Sequence, residues 1–182
     1  MLGDKTMNEN ILNEMKVVFP AKSCNEALAR MTAAAAASQL DPSAAELIDI
    51  KTAVSEAVTN CIVHAYRDTE GIGKVEMLFR ILSGNILYIR IKDSGCGIKD
   101  IKQAMEPLFT TAPQEERAGL GFAVMESFMD TVKVTSTPGK GTSVVMTKKI
   151  AARTLYASRT SKCFELPQPC IPDGEEKDEN YR

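Results

Sequence analysis

Alternating apolar and polar residues predict two paired strands near the middle of the chain. Every second residue is apolar from Lys74 to Leu82 and again from Ile86 to Lys92, and a period of two is typical of half-buried strands. Ser83-Gly84-Asn85 separates the two runs, and such a sequence favours a hairpin turn. The pattern therefore predicts an antiparallel pair of strands.

β-favouring residues predict three more strands, nearer the two ends of the chain. A first strand is expected from Glu14 to Ala21, where Pro20 ends an apolar stretch. A final hairpin is expected from residues 131–136 and 142–150, across a turn that contains two glycines.

Apolar residues at three- and four-residue spacing predict the helices. The longest one is expected from Pro42 to about Tyr66, with Asp41 as its N-cap. An earlier helix is expected from Ser23 to Gln39, with Ser23 and Glu26 forming a capping box. Shorter helices are expected over residues 98–105 and 119–129, separated by a long loop over 106–118.

These elements predict an α+β fold, a two-layer α/β sandwich with a mixed, mainly antiparallel sheet and about three helices on one face. With 44% hydrophobic residues among 182, the chain can build one substantial core. We predict a flexible N-terminus over residues 1–13, one folded domain over 14–150 and a disordered tail over 151–182, where proline and charge dominate.

Charge and cysteine content exclude several classes of protein. The chain has 22 basic and 24 acidic residues and no basic stripe, which argues against direct binding of nucleic acid. It has no apolar run long enough for a membrane span and no apparent leader, so we expect a cytoplasmic protein. Five scattered cysteines without a CxxC pair argue against a zinc site or a disulfide framework.

Glu56 and Asn60 are the first candidates for chemistry. They are four residues apart on the longest predicted helix, so they share one face of it. The Asn60 oxygen can be a ligand of Mg²⁺, and the Glu56 carboxylate can polarise an attacking hydroxyl. Such pairs also occur on solvated helix faces, and His64, one turn further, is more typical of packing than of catalysis.

Asp93 and several glycines form a second set of candidates. Asp93 closes a predicted strand and can accept a hydrogen bond from an exocyclic amine such as that of adenine, while Gly95 and Gly97 let the backbone approach a flat ring. Gly119 and Gly121 open a predicted helix whose backbone N–H groups suit phosphate oxygens. Arg117 precedes them and can contact a terminal phosphate. Each of these motifs alone is more often a simple turn.

The order of these motifs resembles that of a known ATP-binding fold. Glu56-x-x-x-Asn60, Asp93-x-Gly95-x-Gly97, Gly119-x-Gly121 and Gly141-Thr142 are similar to the N, G1 and G2 boxes and closing hairpin of the GHKL (Bergerat) fold of histidine kinases, Hsp90 chaperones, MutL and gyrase B. The stretches 56–66, 107–111 and 116–130 resemble the anti-sigma serine kinases, and among them the sporulation anti-sigma F factors. The resemblance covers residues 14–150.

This resemblance implies a cytoplasmic homodimer that binds ATP and Mg²⁺, holds a sporulation sigma factor inactive and phosphorylates a serine of an anti-anti-sigma factor. It implies the following roles: Glu56 as catalytic base, Asn60 as Mg²⁺ ligand, Asp93 as the residue that reads adenine, Gly95, Gly97, Gly119, Leu120 and Gly121 as pocket residues, Thr110, Thr111 and Arg117 in the nucleotide lid and phosphate contacts, Thr142 at the adenine end, and Arg30 on the partner-binding surface.

The sequence departs from the family at two points of the site. Ala65 replaces a common glycine, and Cys96 lies between the two glycines that follow Asp93. Neither change removes a functional group, so we expect the site to be retained.

Three alternative functions stay open at this level. An anti-sigma kinase for a general stress sigma factor would show the same motifs. A protein whose affinity for a sigma factor is only gated by nucleotide would not need the Glu56 carboxylate. An autonomous ATPase of the chaperone or MutL type would need further domains to complete its site.

Overall fold

The computed structural model describes residues 10–67, 73–106 and 119–151. Its strands and α-helices have the following bounds: β1 Ile11–Pro20, α1 Glu26–Ala37, α2 Ala44–Asn60, β2 Lys74–Leu82, β3 Ile86–Lys92, α3 Ile101–Met105, α4 Gly121–Phe128, β4 Thr131–Thr137 and β5 Gly141–Lys149. Turns of 3₁₀-helix at Ser23–Asn25 and Ser38–Leu40 flank α1, and a π-helical turn at Cys61–Ala65 continues α2.

The five strands form one sheet in the order β1-β2-β3-β5-β4, in which every neighbouring pair is antiparallel. The sheet predicted as mixed is therefore entirely antiparallel in the described residues. The pairing of β3 with β5 joins strands from the two halves of the chain. The other three pairings lie within one half or the other.

The apolar face of the sheet packs against α1, α2 and α4. In register across the strands, Met15, Phe79, Ile89, Met146 and Val132 form one row of this face. The helices contribute mostly small or branched residues that are fully buried, including Ala29, Ala33, Ala36, Ile50, Ala53, Val54, Ala57 and Val58. Alanines on α1 and α2 let these helices approach closely, which places α2 at the centre of the helical layer.

Lys148 is the exception on this face, because its register partner is Leu87 and its side chain is only 12% exposed. Its ammonium group binds Asp49 Oδ2 of α2 at 3.1 Å and donates a hydrogen bond to the carbonyl oxygen of Phe128 at 2.6 Å. One cation thereby connects β5 with α2 and with the C-terminal end of α4.

The predicted start of α2 is wrong. Asp41 has a left-handed backbone, with φ of 51°, and caps the preceding 3₁₀ turn at its C-terminal end. Ser43 is the N-cap instead, since its hydroxyl accepts from the Glu46 N–H at 3.1 Å and its own N–H donates to Glu46 Oε2 at 2.7 Å. This is a complete capping box.

The capping box predicted at Ser23 is also absent. Ser23 begins a 3₁₀ turn, and α1 starts at Glu26 without a side-chain cap. The Glu26 carboxylate accepts a hydrogen bond from Ser55 Oγ of α2 at 2.5 Å, so it serves helix packing and not the N-terminus of its own helix.

Other bounds differ by a few residues. β1 begins three residues earlier than expected, and α3 and α4 are shorter than their predicted ranges. Residues 107–118 of the predicted loop, and the predicted tail after Ala151, lie outside the described residues. In the described ranges, no helix is both long and apolar enough to cross a membrane.

Candidate active site

Glu56 and Asn60 lie on the last turns of α2 and face the first residue of α4. A Cβ placed on Gly121 would lie 3.2 Å from Glu56 Oε2 and 3.3 Å from Asn60 Nδ2. Both side chains are half-buried. Neither makes a hydrogen bond or an ion pair with a side chain or backbone group of residues 10–67, 73–106 or 119–151. A carboxylate and a carboxamide are thus held beside the N–H groups that begin a helix.

The π-helical turn directly after Asn60 is hydrogen-bonded to the loop that follows β3. π-helical turns are rare and frequently occur at functional sites. The carbonyl oxygen of Ala65, the last residue of this turn, accepts a hydrogen bond from the Cys96 N–H at 2.8 Å. The carbonyl oxygen of His64, in the same turn, accepts from Cys96 Sγ at 3.4 Å.

Asp93 is the one buried charged side chain in the described part of the chain, with 3% of its surface exposed. Its Oδ1 accepts hydrogen bonds from the N–H of Gly95 at 2.9 Å and of Thr142 at 3.2 Å. Its Oδ2 accepts from the Cys61 thiol at a sulfur–oxygen distance of 3.7 Å. The carboxylate therefore retains acceptor capacity for a further donor.

The glycines after Asp93 and in the β4–β5 turn allow close backbone contacts. A Cβ on Gly95 would overlap the carbonyl group of Ala65, and one on Gly97, where φ is 70°, would overlap that of Thr137. Gly141, with φ of 93°, packs in the same way against the backbone of Asp93. These positions require glycine because any side chain would displace the backbone that holds Asp93.

Ser136 of β4 ties the loop after β3 to the final hairpin. Its Oγ accepts from the Ile98 N–H at 2.8 Å and donates to the Gly141 carbonyl oxygen at 3.0 Å. It also lies 2.9 Å from Thr142 Oγ1. Thr142 is held beside Asp93 in this way, and its own N–H donates to Asp93 Oδ1.

The predicted residues fall into two adjacent groups. Asp93, Gly95, Gly97 and Thr142 form one, while Glu56, Asn60 and Gly121 form the other. The chain neighbours Asn60 and Cys61 link them, since Cys61 contacts Asp93. One end of the site therefore carries a buried acceptor and the other end a helix N-terminus.

The residues just before α4 complete the second group. Gly119 has a left-handed backbone with φ of 84°, and Leu120 is the N-cap of α4 with 45% of its surface exposed. Thr110, Thr111 and Arg117 lie outside the described residues.

A magnesium ion is compatible with the donors beside Gly121. The described residues contain no group of three or more His, Cys, Asp or Glu side chains that could enclose a metal. Asn60 offers one amide oxygen that has no partner in the described residues. Mg²⁺ often takes only one or two protein ligands and completes its shell with phosphate and water oxygens.

Arg30 lies apart from both groups, on α1. Its guanidinium is 3.8 Å from Glu26 Oε1, and its side chain is 43% exposed. Glu26 also accepts a hydrogen bond from Ser55 of α2, the residue before Glu56, so it contacts both Arg30 and the helix that carries the site.

Sequence reasoning missed the contacts of Cys61, Ala65, Tyr66 and Ser136. The Tyr66 hydroxyl accepts from the Ser94 N–H at 2.9 Å and donates to the Lys74 carbonyl oxygen at 2.6 Å. Local spacing contained no signal for the contacts of Cys61 with Asp93, Tyr66 with Ser94 and Ser136 with Ile98, because they span 32, 28 and 38 positions of the chain.

Comparison with known proteins places this geometry in context. A model of the histidine kinase-like ATPase domain matches residues 19–148. The anti-sigma F factor of Thermoanaerobacter sp. (strain X514) is 55% identical over 140 residues, which are 77% of this chain and 96% of that protein. The anti-sigma F factor of Clostridium acetobutylicum is 51% identical over 139 residues, 76% of this chain and 95% of that protein.

Among solved structures, the RsbU and RsbW domains of a Mycobacterium tuberculosis protein superpose with a TM-score of 0.56. The identity is 15%, over 76% of this chain and 32% of that one, so the likeness is one of fold. Together with the matched domain model, it confirms the α+β fold of GHKL type that the motifs predicted.

Proposed function

The chain belongs to the anti-sigma F factors, which carry a histidine kinase-like ATPase domain, and from that premise we propose that it is both an inhibitor of a sigma factor and a protein serine kinase. It holds a sporulation sigma factor of the sigma F type inactive. With Mg·ATP it phosphorylates a serine of a small anti-anti-sigma factor. It acts in the cytoplasm as a homodimer.

The observation that carries the kinase proposal is the position of Glu56 beside the first residue of α4. The N–H groups of a helix N-terminus bind phosphate oxygens. A carboxylate held next to that position, without a partner in the described residues, is available to take a proton from a hydroxyl that attacks the terminal phosphate. A domain that only bound nucleotide would not need a proton acceptor at the position of Glu56.

Glu56 acts as the general base in the transfer step. The serine oxygen of the partner forms a bond to the γ-phosphorus while the bond from that phosphorus to the β,γ-bridging oxygen breaks. The serine proton passes to Glu56, and ADP carries away the bridging oxygen and its electron pair. The products are a phosphoserine on the partner, ADP and a protonated Glu56.

The remaining described residues bind and orient the nucleotide. Asn60 holds Mg²⁺, which neutralises phosphate charge when bound. We assign the adenine amino group to Asp93, whose carboxylate has acceptor capacity left, and the phosphates to the N-terminus of α4 at Gly121. Thr110, Thr111 and Arg117 belong to the lid and phosphate contacts, and Arg30 to the surface that receives the protein partners.

The test is transfer of γ-labelled phosphate from Mg·ATP to a purified anti-anti-sigma factor. We expect label on a partner serine. In the isosteric variant Glu56→Gln, the transfer rate should fall by about 10²- to 10⁴-fold, the contribution typical of general base catalysis. Its dissociation constant for Mg·ATP should stay within about twofold of that of the unchanged protein, because Glu56 acts only on the hydroxyl.

Glu126→Gln is the matched control, since Glu126 is an exposed carboxylate on α4. It should transfer phosphate at the unchanged rate. Normal transfer by Glu56→Gln would remove Glu56 as the base. Binding of Mg·ATP without any transfer would leave a sigma-binding protein gated by nucleotide. Binding assays with purified sporulation and stress sigma factors would distinguish the two kinds of sigma partner.

A further inference from the structure

Asp93 has an unequal set of hydrogen-bond donors around its two oxygens. Two backbone N–H groups, from Gly95 and Thr142, donate to Oδ1. In the described residues, the only donor to Oδ2 is the thiol of Cys61. A thiol is a weak donor, and the carboxylate of a residue that is only 3% exposed has no solvent to make up for a weak donor. Oδ2 is therefore the oxygen with capacity for a ligand.

Cys61 is placed to control the direction of that oxygen. It is the C-cap of α2, its N–H donates to the carbonyl oxygens of Ala57 and Val58, and only 4% of its surface is exposed. Its thiol therefore cannot turn to solvent. The two N–H groups fix the position of Oδ1. The Cys61 thiol is the contact that prevents the carboxylate from rotating and moving Oδ2 while Oδ1 stays in place.

Cys61 acts through this contact and not through its own reactivity. Its thiol donates to Asp93 Oδ2, and its burial keeps it away from reagents in solvent. Cys61 is thus a hydrogen-bond donor and not an exposed nucleophile.

We propose that Cys61 is a positioning residue that holds Asp93 Oδ2 towards the bound base and thereby sets the preference for an amino purine over an oxo purine. This inference rests on the proposed function, since it assumes that Asp93 binds the base. An ionised carboxylate accepts hydrogen bonds but donates none. It accepts a hydrogen bond from the 6-amino group of adenine, and it repels the 6-oxo group of hypoxanthine because both are acceptors.

The preference depends on direction as well as on charge. Rotation of Oδ2 away from the base lengthens its hydrogen bond to the amino group. The same rotation reduces the repulsion between Oδ2 and an oxo group. Loss of the thiol therefore weakens binding of ATP and improves, or leaves unchanged, binding of ITP. A residue that only filled space would change both affinities alike.

The experiment compares the dissociation constants of Mg·ATP and Mg·ITP, measured by titration calorimetry, in Cys61→Ala and Cys61→Ser. We expect Cys61→Ala to reduce the ATP-over-ITP preference by about three- to tenfold, the effect of one hydrogen bond. Cys61→Ser should restore it, because a hydroxyl is a stronger donor of similar size. Cys96→Ala is the control, since the Cys96 thiol contacts the carbonyl oxygens of His64 and Gly97 and not Asp93.

An infrared measurement tests the hydrogen bond itself and does not depend on how well the variants bind. The S–H stretching band of Cys61 is obtained as the difference between the unchanged protein and Cys61→Ala. It should move to higher frequency when Mg·ATP binds, because the adenine amino group then shares Oδ2, and it should move less with Mg·ITP. A band that does not respond to Mg·ATP would overturn the inference.

Asp93→Asn separates failure of this inference from failure of the proposed site. If Asp93→Asn loses Mg·ATP while Cys61→Ala keeps the full preference, Cys61 has no positioning role and the proposed function stands. If Asp93→Asn binds Mg·ATP normally, the assignment of Asp93 to the base is wrong, and the inference about Cys61 falls with it.

Discussion

Replacing Gly121 by alanine should separate nucleotide binding from stability. Gly121 is the first residue of α4, and its φ lies outside the left-handed range, so alanine can adopt its backbone conformation. The added methyl group would lie 3.2 Å from Glu56 Oε2 and 3.3 and 3.4 Å from the Asn60 amide atoms. These contacts are tight enough that both side chains must shift by a few tenths of an ångström.

The two effects of this methyl group have opposite signs. Alanine favours a helix over glycine by up to about 1 kcal/mol, so the variant should be as stable as the unchanged protein or slightly more so. Without nucleotide, Glu56 and Asn60 are half-buried and can turn aside at little cost. When nucleotide is bound, Glu56 and Asn60 cannot turn away from the added methyl group. The resulting overpacking should cost about 1–2 kcal/mol of binding free energy. That loss raises the dissociation constant about 5- to 30-fold.

Titration calorimetry with Mg·ATP and thermal unfolding without nucleotide measure the two effects. Gly84→Ala is the matched control, because Gly84 lies at the opposite end of β3 from Asp93, with φ of 79° and no atom near its missing Cβ. It should lose about 1–2 kcal/mol of stability from backbone strain and bind Mg·ATP normally. Unchanged Mg·ATP affinity in Gly121→Ala would refute the placement of the phosphates at α4.

Three further predictions concern the scaffold. Lys148→Met removes the 3.1 Å ion pair with Asp49 and should lower the free energy of unfolding, measured in urea, by about 1–3 kcal/mol; equal urea midpoints and slopes would contradict this. Ser43→Ala removes the capping box of α2 and should cost about 1 kcal/mol in thermal unfolding, whereas an unchanged melting temperature would show that the cap contributes nothing. A hydrogen bond from Lys16 is the main cause that lowers the pKa of Glu76 below 4.5. Since the unfolded chain then binds more protons as the pH falls, stability is lost below about pH 4.5, and Glu76→Gln should show a shallower loss in acid denaturation. Parallel curves for the two proteins would argue against a role of Glu76 in acid denaturation.

Elements defined by local pattern were predicted well from the sequence. The bounds of β2 and β3 are as expected, because a period of two and a glycine turn act over a few residues. The start of α2 was wrong because Asp41-Pro42 and Ser43 both resemble an N-cap. Glu46, three residues after Ser43, is the local signal that would have decided between them.

In the site, too, features set by local spacing could be predicted from the sequence, and features set by tertiary packing could not. The pairing of Glu56 with Asn60 follows from helical spacing, and the structure places both beside Gly121. The contact of Cys61 with Asp93 joins residues 32 positions apart, and the docking of Cys96 on Ala65 depends on a π-helical turn. Neither follows from spacing, because each depends on how the sheet and the helices pack.

The antiparallel pairing of β3 with β5 also bears on synthesis of the chain. Residues of β1–β3 and of the two long helices leave the ribosome first, and they can pair among themselves. Asp93 acquires its hydrogen bond from Thr142 only after β5, the last described strand, has been made. Ligand binding stabilises only a state that can bind. Nucleotide therefore cannot rescue a chain that stops before β5, and we expect it to protect from proteolysis only those chains that have been translated through the final hairpin.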